Sequence, residues 1–297
     1  MILCTENGEL VRGDLIKTSV VRSDMAPIPF TLEAEIRVLD GDGKALLATG
    51  KKIQCGGGDW LTIIKSVYAE NGHSQGDYNM ATVKLTALLD ECHSISFARE
   101  RPVIKESATL LQIYRACGAT LKAIDADFPV PRFSCFSGDA PSFHLARALQ
   151  ELGGVVRWKN GRLRFFRLPD LFKQPPIMSL PNDTMEDTES GFLERHEIPA
   201  FFSVLPSGSI VMGDQNKARS KFFTPFKSKQ ELNNMSRCLV SKKVARVSFD
   251  MQISAGDLVS TPSENLVVLT AAHAYINGID GGNTEQYTRL WLARMEG

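Results

Sequence analysis

The chain has 297 residues, 43% of them hydrophobic and 23% charged, with 34 basic and 34 acidic side chains. That is enough apolar material for one large core or two or three ordinary ones, and a net charge of zero argues against a dedicated nucleic-acid binder. The longest apolar runs, such as 266–272, are too short for a bilayer span, and the opening residues Met1 to Glu6 lack a basic region followed by an apolar stretch, so a soluble chain made in the cytoplasm, without a membrane span, is expected.

The first hundred residues read as strands. Phe30, Leu32, Ala34, Ile36 and Val38 alternate with Thr31, Glu33, Glu35 and Arg37, the period of a half-buried strand in an antiparallel sheet. A turn is expected at Asp40-Gly41-Asp42-Gly43, a strand over Lys44 to Gln54, a turn at Gly56-Gly57-Gly58, and a β-branched and aromatic strand from Trp60 to Tyr68, broken at Asn71-Gly72. Met80 to Leu89 fits a strand or a short helix equally well.

The middle third changes character. Ser107 is placed to cap a helix over Ala108 to Cys117 that ends at Gly118, and Asp139 with Pro141 opens a second helix running to Leu152 before Gly153-Gly154. Residues 155–159 and 162–167, joined by Asn160-Gly161, form a hairpin of the kind a type I′ turn prefers. Val156, Trp158, Leu163 and Phe165 should face inward, and Arg157, Lys159, Arg162 and Arg164 outward.

Residues 169–243 show little periodicity but two charge blocks. Asp183, Glu186, Asp187, Glu189, Glu194 and Glu197 stand against Arg195; Lys217 to Lys243 is basic apart from Glu231. A loop region this long is improbable in a compact monomer, so it holds unseen strands or is ordered by neighbouring subunits. Strand pattern returns at Ala245 to Ile253, at Leu258-Val259 after the turn Ala255-Gly256-Asp257, at 266–274, and at 287–295. The fold class expected is mainly β with an α+β insertion: two small β-barrels flanking a helix–helix–hairpin middle, with boundaries at 1–95, 96–172 and 173–297.

Chemistry is sparse. The six cysteines form no CxxC pair and read as free, mostly buried thiols. Cys92 and His93 are adjacent and would point to opposite faces of a strand, Asp125-Ala126-Asp127 lacks the rest of a calcium loop, and Gly56 to Gly58 precede no Gly-Lys-Ser/Thr. His144 has no second ligand one turn away, and neither GxSxG nor HExxH occurs. No catalytic, cofactor-binding or metal-binding residue is expected. The basic block interleaves only Phe222, Phe223 and Phe226, which favours a protein contact or a solvated loop over a nucleic-acid path.

The order of parts carries a family resemblance. The segments 21–34, 107–118, 148–154 leading into Trp158 to Leu163, Ala255-Gly256-Asp257 and Thr270 to His273 resemble the bacteriophage tail baseplate hub proteins, the late control protein D relatives, which share a fold with the base of the type VI secretion spike. The resemblance covers most of the chain and weakens between about 170 and 240. It implies a homotrimer whose six quasi-equivalent barrels meet a sixfold tail tube, with a separate threefold spike on the other side. The partners implied are further copies of the chain, the tail tube protein, a central spike or needle protein, other baseplate proteins and the tape measure protein. DNA would only pass through the lumen, and the location implied is the virion tail baseplate, assembled in the host cytoplasm. Outward polar residues Glu33, Glu35, Arg37, Arg246 and Asp250 are the candidate contacts, and Lys227 and Lys229 represent a basic block that would pair with the acidic one across subunits or against tube and spike. Two rival readings, a cell-wall or polysaccharide hydrolase and a β-rich carbohydrate or receptor-binding module, require a cleft with perturbed acids and an exposed aromatic face respectively; the latter is disfavoured by three scattered Trp and five Tyr.

Overall fold

A computed structural model describes residues 2–38, 41–56, 58–75, 78–188, 199–214, 220–278 and 282–296. The amino-terminal part contains β1 (Leu3–Thr5), β2 (Ile16–Asp24), β3 (Phe30–Val38), helix α1 (Gly41–Leu46), β4 (Lys52–Cys55), β5 (Asp59–Gln75) and β6 (Tyr78–Leu89). Alternation works as expected on β3: Leu32, Ala34, Ile36 and Val38 are buried, with Glu33 exposed. It also resolves the ambiguous run in favour of strand, because Ala81, Val83, Leu85 and Ala87 all enter the same core. The expected strand over 44–54 is instead a short helix and a four-residue strand, since Leu47 drops into the core while Lys44 lies over the Tyr68 ring at 4.2 Å. The expected turn at 40–43 is taken up by α1 from Gly41 on, and Asp40 lies outside the described residues. The break at Asn71-Gly72 falls within a register irregularity between Glu70 and Ser74 of β5, and Gly58 has the positive φ, 89°, that a turn there requires.

The middle part begins with a 3₁₀ turn (His93–Ser96), then β7 (Val103–Thr109), α2 (Leu110–Ala116), β8 (Ile124–Asp125), β9 (Pro129–Cys135), α3 (Pro141–Glu151), β10 (Gly154–Lys159), β11 (Arg162–Arg167) and α4 (Leu168–Leu171). Thr109, not Ser107, caps α2, in a capping box with Gln112. Asp139 does not cap α3; its carboxylate is 3.0 Å from His144 Nε2. The hairpin closes as expected through Asn160 and Gly161, with φ of 54° and 71°. Its inner residues join both helices in the largest core, with Tyr114 and Ile113 fully buried.

Beyond it come β12 (Met178–Ser179), a 3₁₀ turn (Asn182–Thr184), β13 (Met185–Asp187), β14 (Ala200–Val204), β15 (Ile210–Met212), β16 (Lys221–Phe223), α5 (Lys229–Met235), β17 (Cys238–Ser248), β18 (Leu258–Ser260), β19 (Asn265–Ile276) and β20 (Glu285–Glu296). Among the described residues, the region expected to be loops thus holds five strands of two to five residues, helix α5 and the start of β17. The strand expected at 245–253 starts earlier and stops at Ser248, where the backbone turns so that Asp250 N–H donates to Thr288 Oγ1.

The fold is mainly β with a helical and hairpin insertion. The strands of both ends belong to one sheet, ordered β1-β4-β5-β6-β3-β2-β19-β20-β17-β13, with β18 and β12 attached through β19. The seam is the antiparallel pair β2 and β19, in register from Asp24↔Thr270 to Thr18↔Ile276. Each half keeps its own core, one around Leu32, Ile53, Ile63 and Val83 and the other around Val259, Leu266, Ala271 and Leu290. The path ends on two three-residue strands, β1 and β13, which limits the open edge offered to other chains.

Candidate assembly interface

Directly opposed residues in neighbouring strands share a face, so the register shows which side chains lie together. One row runs Lys65, Thr86, Glu33, Val20, Ala274, Tyr287, Ser248 across β5, β6, β3, β2, β19, β20 and β17. The next runs Val67, Lys84, Glu35, Thr18, Ile276, Glu285, and a third joins Thr31, Arg22, Ala272, Arg289 and Arg246. Glu33, Glu35, Arg37 and Arg246 therefore occupy one continuous face, roughly 29 Å wide across seven strands at strand spacing. Nothing in the sequence shows that the two ends share a sheet, so this union of distant residues could not be read beforehand.

The face mixes charged and apolar side chains, and several of the charged ones pair with one another. Lys17 and Lys84 reach Glu35 at 3.0 and 3.4 Å, Arg22 reaches Glu33 at 3.1 Å, and Arg246 reaches Glu285 at 2.7 Å while lying 3.9 Å from the Tyr287 ring centre. Partial burial pushes the Glu35 carboxyl up, but Lys17 and Lys84 outweigh it and hold the group below its usual range. Asp250 lies just past β17, its carboxylate accepting from Gln252 N–H at 2.8 Å.

Lys227 and Lys229 sit elsewhere, at the start of α5. Lys227 is engaged inside the chain, by Glu151 at 2.7 Å and Glu231 at 3.7 Å, whereas Lys229 is exposed. The acidic and basic blocks meet within one chain at Lys243 and Asp187, 3.2 Å apart across β17 and β13; Glu189, Glu194, Glu197, Lys217 and Arg219 lie outside the described residues. Exposed rings cluster nearby: Phe222 and Phe223 on β16, each against a phenylalanine of β14, and Phe226, whose backbone has φ of 56°.

The functional residues that sequence reasoning missed join the middle to the second half. Arg157, expected outside, is buried: it donates to Asp257 at 2.7 Å, to the Gly256 carbonyl at 3.2 Å and to Gln174 at 3.0 Å, and Lys159 donates to the same carboxylate at 2.7 and 2.8 Å. The carboxylate also accepts Ser254 N–H at 2.9 Å. The only local signals are the turn Ala255-Gly256-Asp257 and a β10 that is apolar on one side and basic on the other; the partners lie 100 residues apart.

The other candidates resolve simply. Asp127 accepts Leu111 N–H at 3.2 Å and Phe128 N–H at 2.9 Å, tying the turn to α2. All six cysteines are free, and burial pushes the Cys55 and Cys117 thiols up to about 12. His93 Nδ1 lies 2.6 Å from the Asp90 carbonyl, while Cys92 is buried. Among the described residues no group of three or more His, Cys, Asp or Glu could hold a metal ion, and no helix is long and apolar enough to cross a membrane.

One sheet shared by two β halves, with a helix–helix–hairpin block set between them, is a fold similar to those of solved phage tail proteins and a type VI secretion component. Over 99% of this chain and 98% of the other, it superposes on a 43 kDa tail protein of prophage MuSo2 from Shewanella oneidensis, with a TM-score of 0.66 and 12% identity. A tail protein from Neisseria meningitidis matches 99% of this chain and 95% of its own with a TM-score of 0.65 and 12% identity. An Escherichia coli component of the type VI secretion system, described as structurally similar to the T4 tail proteins gp27 and gp5, matches 95% of this chain and 74% of its own with a TM-score of 0.53 and 8% identity. No protein-family model and no curated protein matches the sequence.

Proposed function

We propose that this chain is a non-catalytic structural protein of a phage tail or a tail-like spike base. In this reading it is a homotrimeric hub that joins the sixfold tail tube to a threefold central spike and surrounds the DNA exit path. The observation that carries the reading is that the likeness to the prophage tail protein runs end to end in both chains. Three copies, each with two β halves on a common sheet, would offer six β units to a sixfold neighbour, and closed symmetry would cover the face bearing Glu33, Glu35 and Arg246 without leaving a growing edge. The functional divisions follow as 1–95, 96–172 and 173–297, with tube, spike, baseplate and tape measure proteins as partners and the virion tail as location.

The test is the mass of the purified protein, alone and with a candidate spike protein, together with the same measurement on Glu35→Lys. The reading expects a trimer and a defined complex with the spike, both weakened in the variant. A wild-type chain that remains monomeric at its highest soluble concentration and forms no complex would overturn it.

A further inference from the structure

The outer face of the middle-domain hairpin carries a groove that the assembly reading does not use. Two adjoining hollows, of about 500 and 290 Å³, share Arg164, Phe166 and Gln174 in their walls. β11 is the central strand of its sheet, between β10 and β8, so its outer face is a floor and not an edge. Arg162, Arg164 and Arg167 are exposed there.

These guanidiniums lack close carboxylates. Among the described residues Arg162 meets only Asp125, at 3.9 Å, and Arg164 and Arg167 have no ion pair. The nearby acids are already committed, Asp170 to Lys173 at 2.7 Å and Asp257 to Arg157 and Lys159. Arg164 is held over the Phe166 ring at 4.8 Å, which fixes the plane of its fork and leaves its N–H groups for a ligand. Arg162 and Arg164 alternate on one strand face, so they repeat at about 6.6–6.8 Å, the spacing of alternate side chains in any extended peptide.

We propose that this groove binds an extended acidic segment of a neighbouring tail protein, one with carboxylates at alternate positions that pair with Arg162 and Arg164. The identity of the neighbour as a tail protein rests on the assembly reading; the carboxylate chemistry does not. A planar fork matches a carboxylate through two parallel hydrogen bonds. A single nucleic-acid strand is disfavoured because the Phe166 ring packs against the apolar cluster around Leu168 and Leu258 and already carries the Arg157 and Arg164 guanidiniums. The half-buried Phe128, the other ring exposed to the groove, stands against Phe165 at 4.3 Å, which leaves little ring surface for stacked bases.

The experiment is fluorescence anisotropy on the full chain with a labelled peptide of about ten residues alternating Glu and Ser, the repeat an extended strand demands. Controls are a Gln-Ser peptide, a peptide with its glutamates in one block, and oligothymidylate of equal charge. The alternating peptide should bind best, salt should weaken it, and Arg162→Glu with Arg164→Glu should weaken it at least tenfold with the thermal midpoint unchanged. Should that variant misfold, Arg162→Gln with Arg164→Gln keeps the strand polar and should also lose at least tenfold. Absence of binding, equal binding by a folded variant or by the block peptide, or oligothymidylate binding as tightly as the alternating peptide would each overturn the proposal. Trimer formation is measured on the same samples, so a failed peptide with an intact trimer refutes the groove alone.

Discussion

Replacing Asp257 with Asn isolates the joint between the hairpin and the second half, because it removes one negative charge and almost no volume. The side chains of Asp257 and Arg157 are only 4% and 7% exposed, so the variant leaves a guanidinium in a dry site facing a neutral amide. Removing one partner of a buried pair typically costs about 3–5 kcal/mol, and the lower end applies here because Arg157 keeps the Gly256 carbonyl and Gln174 as acceptors while the single amide oxygen can still accept from Ser254 N–H. Lys159 is one-third exposed and adds little, since water screens it. At roughly 1.6 °C per kcal/mol for a chain of 297 residues, a loss near 3 kcal/mol lowers the melting midpoint by about 5 °C, readable by scanning calorimetry. Asp257→Asn combined with Arg157→Met keeps the acceptor for Ser254 and removes the stranded charge, so it should recover more than half of the loss. A single variant within about 1 kcal/mol of wild type, or a double variant no better than the single, would refute the claim that this charge pair fastens the two parts.

His273 is 1% exposed and bonded to Thr288 Oγ1 at 3.0 Å, and burial pushes its imidazole down to about 4. Because the unfolded chain binds its proton near pH 6.5, this stability is complete above that value and fades as pH falls towards 4. A loss of about 2 kcal/mol between pH 7 and pH 5 is expected in urea unfolding, and His273→Gln should flatten the profile over that window. Gly154 allows β10 to pass Phe165: an added Cβ would stand 2.2 Å from its Cζ and 2.6 Å from the Phe166 carbonyl oxygen. Gly154→Ala should therefore cost about 1–3 kcal/mol or more and lose hydrogen-exchange protection in the hairpin, whereas unchanged protection would mean that the ring moves aside freely.

What could be read in advance follows from how far each signal reaches along the chain. β3, the Asn160-Gly161 hairpin and the glycine after α2 are set by neighbours within about ten residues, so period and turn chemistry suffice. The strands of 178–223 were invisible because two to five residues complete at most two alternations, too few to stand out from loop composition. The candidate face was legible one strand at a time, since Glu33, Glu35 and Arg246 each occupy the polar phase of an alternating run. Its continuity was not, because it depends on the pairing of β2 with β19 some 250 residues away. Arg157 was misread for a related reason. A basic residue in the polar phase is ordinarily solvated, and only a partner 100 residues off makes its burial tolerable.

The middle block is fastened close to the seam on both sides. Tyr114, fully buried in that block, donates its hydroxyl to the Pro27 carbonyl at 3.2 Å, in the turn just after β2. Arg157 and Lys159 hold Asp257 in the turn just before β18, and the Asp257 carbonyl accepts Val268 N–H on β19 at 2.8 Å. Ala255 N–H in that same turn donates to Ser23 Oγ on β2 at 3.1 Å. The second turn is thus linked to β2 itself as well as to the block. A shift of β2 against β19 would have to break the ladder, the Ser23 contact and at least one fastening together. Such a seam resists shear more than a bare two-strand ladder can, which is the mechanical property that the proposed ring would require to present two β halves per subunit at constant spacing to its neighbour.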